Sequence, residues 1–148
     1  MTARPSVNHS ARGRALTYAA LGMIAAALLA VAAWLPPSPA GIGTHEVLGL
    51  PPCPFHALTG IPCPACGMTT AFAHVARGDV GAALRAQPLG AALALLCAAA
   101  VIATPILALA RVPPSAIARR ASGRTLAVSG LVVWLLSWAY KIAASSPG

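Results

Sequence analysis

Three of the four cysteines of the sequence lie with one histidine in the fourteen-residue stretch CPFHALTGIPCPAC. They form two pairs at two-residue spacing, Cys53 with His56 and Cys63 with Cys66. At this spacing both side chains of a pair reach one tetrahedral zinc ion, and three cysteines with one histidine form a known structural zinc set. Cys53, His56, Cys63 and Cys66 are therefore candidate zinc ligands.

The same cysteines are suited to two other kinds of chemistry. Only six residues separate the two pairs, fewer than the 12 or so that are usual in zinc fingers, and a disulfide from Cys53 to Cys63 or Cys66 would close a short loop. Cys63 and Cys66 also have the spacing of a thiol–disulfide exchange motif, without the βαβ pattern that usually surrounds one. A helix starting near Gly67 would direct its positive end toward Cys66 and Cys63 and lower the pKa of a thiol in this pair. Metal binding, a structural disulfide and a catalytic Cys63–Cys66 pair all stay open.

The sequence has few residues suited to other kinds of catalysis. Glu46 and Asp79 are the only carboxylate side chains, which disfavours paired-carboxylate catalysis and a calcium site. Cys97 lies within an apolar run and is interpreted as a packing residue. The sequence thus favours a protein that is not an enzyme.

The composition predicts a membrane protein. Of the 148 residues, 58% are hydrophobic and 8% are charged, whereas soluble domains carry about 25% charged residues. Three apolar runs, at 15–35, 89–110 and 125–143, each have the length of about 20 residues that a helix needs to cross a bilayer. We expect an all-α protein with three transmembrane helices in one membrane domain, with Lys141 near the end of the third run reaching the headgroups.

The basic residues predict the orientation of these helices. Seven of the ten lie in the tail at 1–14 and the segment at 111–124: Arg4, Arg12, Arg14, Arg111, Arg119, Arg120 and Arg124. Because positive residues concentrate on the cytoplasmic side, the N-terminus is expected inside the cell, with the segment at 36–88 and the C-terminus outside. No basic stripe with interleaved aromatic residues is present, so no nucleic-acid partner is expected.

The long connection at 36–88 is expected to have structure of its own. Its five central prolines, Pro51, Pro52, Pro54, Pro62 and Pro64, favour extended and turn geometry. Apolar periodicity then predicts two short interfacial helices at about 68–77 and 80–87. Gly78 would end the first, Asp79 would cap the second, and Pro88 suits the first turn of the next span.

The stretch from Cys53 to Leu89 resembles the domain of unknown function 2752 family of small bacterial membrane proteins. The family pattern runs from C-P through T-G-x-P-C-P-x-C-G-x-T-R-A and G-D-x-x-x-A to N-P-L. This chain has Thr70 in place of the usual arginine and Gln87 in place of the asparagine. The positions that match the pattern are Thr59, Gly60, Pro62, Cys63, Pro64, Cys66, Gly67, Thr69, Gly78, Asp79 and Pro88.

The resemblance implies a multi-pass protein of a bacterial cell membrane and supplies no biochemical activity. Together with the cysteine spacing, it leads us to expect an external cysteine-rich loop that serves as a structural, metal-binding or partner-binding module. The expected partners are the lipid bilayer and either another membrane protein or a second copy of the chain. The alternative is a membrane thiol–disulfide oxidoreductase that uses Cys63 and Cys66.

Overall fold

The computed structural model describes residues 7–113 and 123–145. These residues form helices and connections and contain no strand, so the all-α fold class is confirmed. Arg4, Arg119 and Arg120, on which part of the orientation argument depends, lie outside the described residues.

Within the described ranges, three long helices are apolar enough to cross a membrane. They are α1 (Val7–Trp34), α5 (Pro88–Leu109) and α6 (Gly123–Ser145). Helix α1 begins before the apolar run that predicted it, because Arg12 and Arg14 end the hydrophobic pattern without interrupting the helical backbone. These helices imply a lipid bilayer around the protein, and large apolar side chains on all three are exposed for contact with it.

Between α1 and α5 lies a connection that we call the cysteine loop, residues 36–87. It contains a short 3₁₀ helix and three short α-helices, and all four are too short to cross a membrane. The 3₁₀ helix is Thr44–Leu48, and the α-helices are α2 (Pro54–Thr59), α3 (Met68–Val75) and α4 (Val80–Ala86).

Two of these elements differ from the sequence prediction. Helix α2 occupies part of the proline-rich stretch that was expected to be extended or turned. Pro54 stands in the first turn of α2, where a helix makes no use of the missing N–H group, so the proline favours the helix start instead of preventing it. The 3₁₀ helix was also not predicted, since its five residues are too few for a periodic pattern.

The turn between α3 and α4 agrees with its predicted chemistry. Gly78 adopts a left-handed conformation with φ of 81°. The carboxylate of Asp79 accepts a hydrogen bond of 2.8 Å from the backbone N–H of Ala82 and caps α4. Pro88 starts α5 in its first turn.

Small residues allow the helices to pack closely. Helix α1 lies against α5, and a Cβ atom at Gly22 would come within 2.5 Å of the Thr104 hydroxyl oxygen. Helix α3 packs against α1, α4 and α5. A core of small side chains joins these elements, because Ala71, Ala83 and Ala91 are fully buried between α3, α4 and α5. Such close contacts are the usual means of helix association in a bilayer.

Candidate metal centre

Cys53 is positioned by the start of α2. It stands immediately before the helix, with its carbonyl oxygen accepting a 2.9 Å hydrogen bond from the backbone N–H of Ala57. Its sulfur faces the first turn, where interaction with the backbone N–H of His56, and then with the Cys63 thiol, lowers the pKa of Cys53. Both interactions favour the thiolate, which is the form that binds a metal.

Cys63 and Cys66 are brought together by a tight turn ahead of α3. The backbone N–H of Cys66 donates to the carbonyl oxygen of Cys63 at 2.9 Å, and the two sulfur atoms lie 3.1 Å apart. Gly67 follows with φ of 89° and leads into α3. The chain therefore reverses within this motif and presents both sulfurs on the same side.

All three loop sulfurs converge on one point. The sulfur atoms of Cys53, Cys63 and Cys66 lie within 4.8 Å of one another. In a zinc–thiolate site, sulfurs are about 3.8 Å apart, since each lies about 2.3 Å from the ion in tetrahedral geometry. The observed separations, from 3.1 Å between Cys63 and Cys66 to at most 4.8 Å, span that value. The set therefore fits a zinc ion with three thiolate ligands.

Among the described residues, these three cysteines form the whole cluster, and the ring of His56 lies outside it. His56 nevertheless lines a small cavity of about 60 Å³ beside Cys53 and Cys66, and His45 of the 3₁₀ helix lines the same cavity. Both histidines thus line a cavity that two of the cysteines also line, and Glu46 lines it as well. The sequence singled out only His56, because His45 has no spacing relation to the cysteines.

All four cysteines are free thiols in the structure, including Cys97 in α5. The pKa of Cys66 does not follow the sequence expectation. Burial of this thiol raises its pKa to about 12, and its hydrogen bond with the Cys63 thiol acts in the same direction. The expectation that the start of α3 lowers this pKa is therefore wrong, because the loss of solvent around Cys66 raises the pKa by more than a backbone hydrogen bond with Cys63 lowers it. Without a metal, Cys66 is a poor nucleophile at neutral pH.

Side chains from distant helices fix the backbone around Cys63. The indole N–H of Trp138 in α6 donates to the carbonyl oxygen of Pro62 at 2.9 Å. The amide Nε2 of Gln87, immediately before α5, donates to the carbonyl oxygen of Pro64 at 2.8 Å. The peptide groups on both sides of Cys63 are thus attached to the transmembrane helices.

Lys141 of α6 fixes the next part of the loop. Its side chain is 5% exposed, and Nζ donates to the carbonyl oxygens of Ala86 at 2.8 Å and Gly41 at 3.3 Å. The expectation that Lys141 extends to the headgroups is wrong, because these carbonyls supply its polar contacts within the protein. A lone cation in an apolar run was a signal for such a role.

Gly67 lies where three segments meet. A Cβ atom there would be 2.6 Å from the carbonyl oxygen of Gly41 and 2.8 Å from that of Ala86. No side chain fits without moving the backbone, so the residue after Cys66 is glycine for reasons of space as well as of conformation.

The remaining motif residues mostly form turns. Thr59 ends α2 with its hydroxyl group, which donates to the Phe55 carbonyl oxygen at 2.6 Å and accepts from the Ile61 N–H at 3.2 Å. Gly60 follows in a left-handed conformation with φ of 69°. Thr69 is half-buried and lines the cavity beside the three cysteines.

Thr70 stands where the family pattern has an arginine, and here it is a buried structural residue. It is fully buried, and its hydroxyl hydrogen-bonds that of Thr44 at 2.8 Å. The Thr44 oxygen also accepts from the backbone N–H of Ser38 at 2.9 Å. Thr70 therefore attaches the 3₁₀ helix to α3 and offers no charge to the site.

The comparisons with known proteins agree with the motif. The family model described as "Protein of unknown function (DUF2752)" matches residues 53–101, from the first cysteine of the cluster to the middle of α5. The resemblance carried by the motif is therefore confirmed. No curated protein and no solved structure matches the chain.

Proposed function

We propose that this multi-pass membrane protein binds a zinc ion through Cys53, Cys63 and Cys66, and that the ion fixes the cysteine loop as a surface for a partner. The observation that carries the proposal is the convergence of three sulfur atoms within 4.8 Å. The three cysteines come from two segments, one before α2 and one before α3, so a shared ion would crosslink the loop. The role is structural and does not require a reaction.

The surroundings of the cluster support a structural site over a catalytic one. The neighbouring peptide groups are attached to α5 and α6 by Gln87 and Trp138. Such attachment keeps the ligands in place, which structural zinc sites require. The partner is either another membrane protein or a second copy of this chain, because the loop lies at the ends of the spanning helices.

Metal analysis of the purified full chain in detergent tests the proposal. We expect about one zinc ion per chain, and loss of most of it in Cys53→Ser and Cys63→Ser. Cys97→Ser is the matched control, since Cys97 lies in α5 away from the cluster, and it should retain the ion. Zinc-free wild-type protein, or equal zinc in all variants, would overturn the proposal.

The fourth ligand is tested in the same preparation. The spacing favours His56, and His45 lines the same small cavity beside Cys53 and Cys66. We propose His56, because it follows Cys53 in the same helical turn. His56→Gln should weaken zinc binding more than His45→Gln in competition with a chelator, and the reverse order would assign the ligand to His45.

A second candidate function is thiol–disulfide exchange, favoured by the 3.1 Å separation of the Cys63 and Cys66 sulfurs. The Cys63 thiolate would attack a partner disulfide and release one partner thiol. Cys66 would then attack the mixed disulfide, forming the Cys63–Cys66 bond and releasing the second thiol. Cys66→Ala should then accumulate a mixed disulfide through Cys63, whereas an absence of trapped partner in both Cys63→Ala and Cys66→Ala would exclude this function.

A further inference from the structure

A polar groove of about 770 Å³ opens beside the cysteine loop, between α4, the end of α6 and the segment at 37–42. Four of the side chains that line it are basic: His56, His74, Arg85 and Lys141. Among the described residues that line it, none is aspartate or glutamate. Its volume is within the range of about 300–1,000 Å³ that small-molecule sites occupy. The charge of the groove suits an anion.

Arg85 is the group best placed to bind that anion. It lies in the last turn of α4 and is exposed. Within the described part of the chain, its guanidinium makes no hydrogen bond or ion pair. A free guanidinium presents paired N–H donors whose geometry matches phosphate oxygens.

The other arginine of the loop is already engaged. The guanidinium of Arg77 donates to the carbonyl oxygens of Ala33 and Ala73 at 2.9 Å, and so binds the end of α1. Asp79 is engaged as well, because it caps α4 and lies 4.0 Å from the Nδ1 atom of His74. Unlike Arg77 and Asp79, Arg85 therefore has a charged group that makes no hydrogen bond or ion pair among the described residues.

The position of the groove indicates where the anion comes from. It lies at the bundle end where α1 and α6 finish, and the exposed aromatic residues Trp34 and Tyr140 stand at those helix ends. Exposed tryptophan and tyrosine at span ends mark the level of the lipid headgroups. A phosphate at this level belongs to the class of groups that phospholipids carry.

We propose that this groove binds a phosphate group, either in a phospholipid headgroup or free in solution, with Arg85 as its principal ligand. The ammonium of Lys141 adds positive charge to the walls, and the side chain of His74 lines them. The three cysteines do not line this groove, although His56, the proposed fourth zinc ligand, does. The principal ligand Arg85 is not a zinc ligand, so its contribution is expected with or without zinc.

Calorimetric titration of the full chain in a neutral maltoside detergent tests the site with three probes. Dihexanoyl phosphatidylglycerol tests the headgroup source, inorganic phosphate tests the free anion, and dihexanoylglycerol lacks the phosphate. We expect the phosphatidylglycerol to bind and the phosphate-free lipid to bind at least about tenfold more weakly, as the loss of a charge-assisted contact predicts. Stronger binding of inorganic phosphate than of the lipid would assign the site to the free anion.

Variants locate the site in the same titration. Arg85→Gln should weaken binding about tenfold or more, by loss of its charge-assisted contacts, and His74→Gln should weaken it less. Arg12→Gln removes the same charge from an exposed position in α1 at the other end of the bundle and should bind like the wild type. Unchanged affinity in Arg85→Gln, equal binding of the phosphate-free lipid, or no binding of any phosphate probe would overturn the proposal.

Discussion

At the scale of single residues, the cluster of three cysteines depends on Gly67, which has no side chain. Cys66 is buried because Gly67, next to it, lets the carbonyl oxygens of Gly41 and Ala86 approach closely. The same carbonyls accept hydrogen bonds from Lys141. One glycine thus makes room for the contact between the cysteine loop and α6.

Gly67→Ala should destabilise the protein more than a comparable change at another left-handed glycine. The new Cβ atom would lie 2.6 Å from one carbonyl oxygen and 2.8 Å from the other. Overpacking of this kind costs about 1–3 kcal/mol, in addition to about 1–2 kcal/mol for a left-handed conformation. The measurement is the thermal unfolding midpoint in detergent.

Gly60→Ala is the matched control, because Gly60 has φ of 69° and nothing lies within 4 Å of its Cβ position. It should show the conformational cost of about 1–2 kcal/mol alone. Equal midpoints for the two variants would mean that the space around Gly67 is not restricted.

At the scale of the elements, local sequence patterns predicted several helices and turns. Contacts between residues far apart in the sequence were not predictable in this way. The apolar periodicity after Gly67 predicted α3, and the capping residue Asp79 predicted the start of α4. The cysteine spacing predicted that Cys63 and Cys66 would be neighbours. Helix α2 was missed because the five central prolines were all interpreted as favouring extended and turn geometry, although Pro54 is at a permitted position in a first turn.

The contacts that attach the loop to α6 had no sequence signal of their own. The residues of the Trp138–Pro62 and Lys141–Gly41 hydrogen bonds are 76 and 100 positions apart. No periodicity connects positions so distant, and only the packing of α6 beside α5 brings them together. The candidate ligands were therefore predictable, whereas the groups that hold them in place were not.

Trp138→Phe tests the attachment of α6 to the cysteine loop. The change keeps an aromatic ring but removes the N–H group that donates to Pro62. A hydrogen bond between membrane helices contributes about 0.6 kcal/mol on average and up to about 1.7. We expect a lower thermal midpoint and faster proteolysis of the loop at its exposed residues.

Trp134→Phe removes the same group one helical turn earlier in α6, where the indole has no hydrogen-bond partner among the described residues. Its midpoint should stay near that of the wild type. A larger loss in Trp134→Phe than in Trp138→Phe would show that the bond to Pro62 does not stabilise the loop.

At the scale of the whole molecule, the two ends of the helix bundle differ in charge. Arg12 and Arg14 lie in the first turns of α1, and the same end carries Arg111, just after α5, and Arg124, in the first turn of α6. The cysteine loop and the end of α6 carry Arg77, Arg85 and Lys141. Arg77 and Lys141 donate hydrogen bonds to backbone carbonyl oxygens, so these two side chains take part in holding the fold together. The asymmetry favours a cytoplasmic N-terminus and an external cysteine loop.

Two introduced cysteines test this orientation without disturbing the cluster. Leu58→Cys is on the exposed surface of α2, where the native side chain is 86% exposed. Gly13→Cys is near the start of α1, where nothing lies within 4 Å of the Cβ position. In intact cells a membrane-impermeant maleimide should label position 58, whereas position 13 should react only after permeabilisation. Peptide mapping separates these sites from the native cysteines. Labelling of position 13 alone in intact cells would reverse the orientation and place the zinc site and the phosphate groove on the cytoplasmic side.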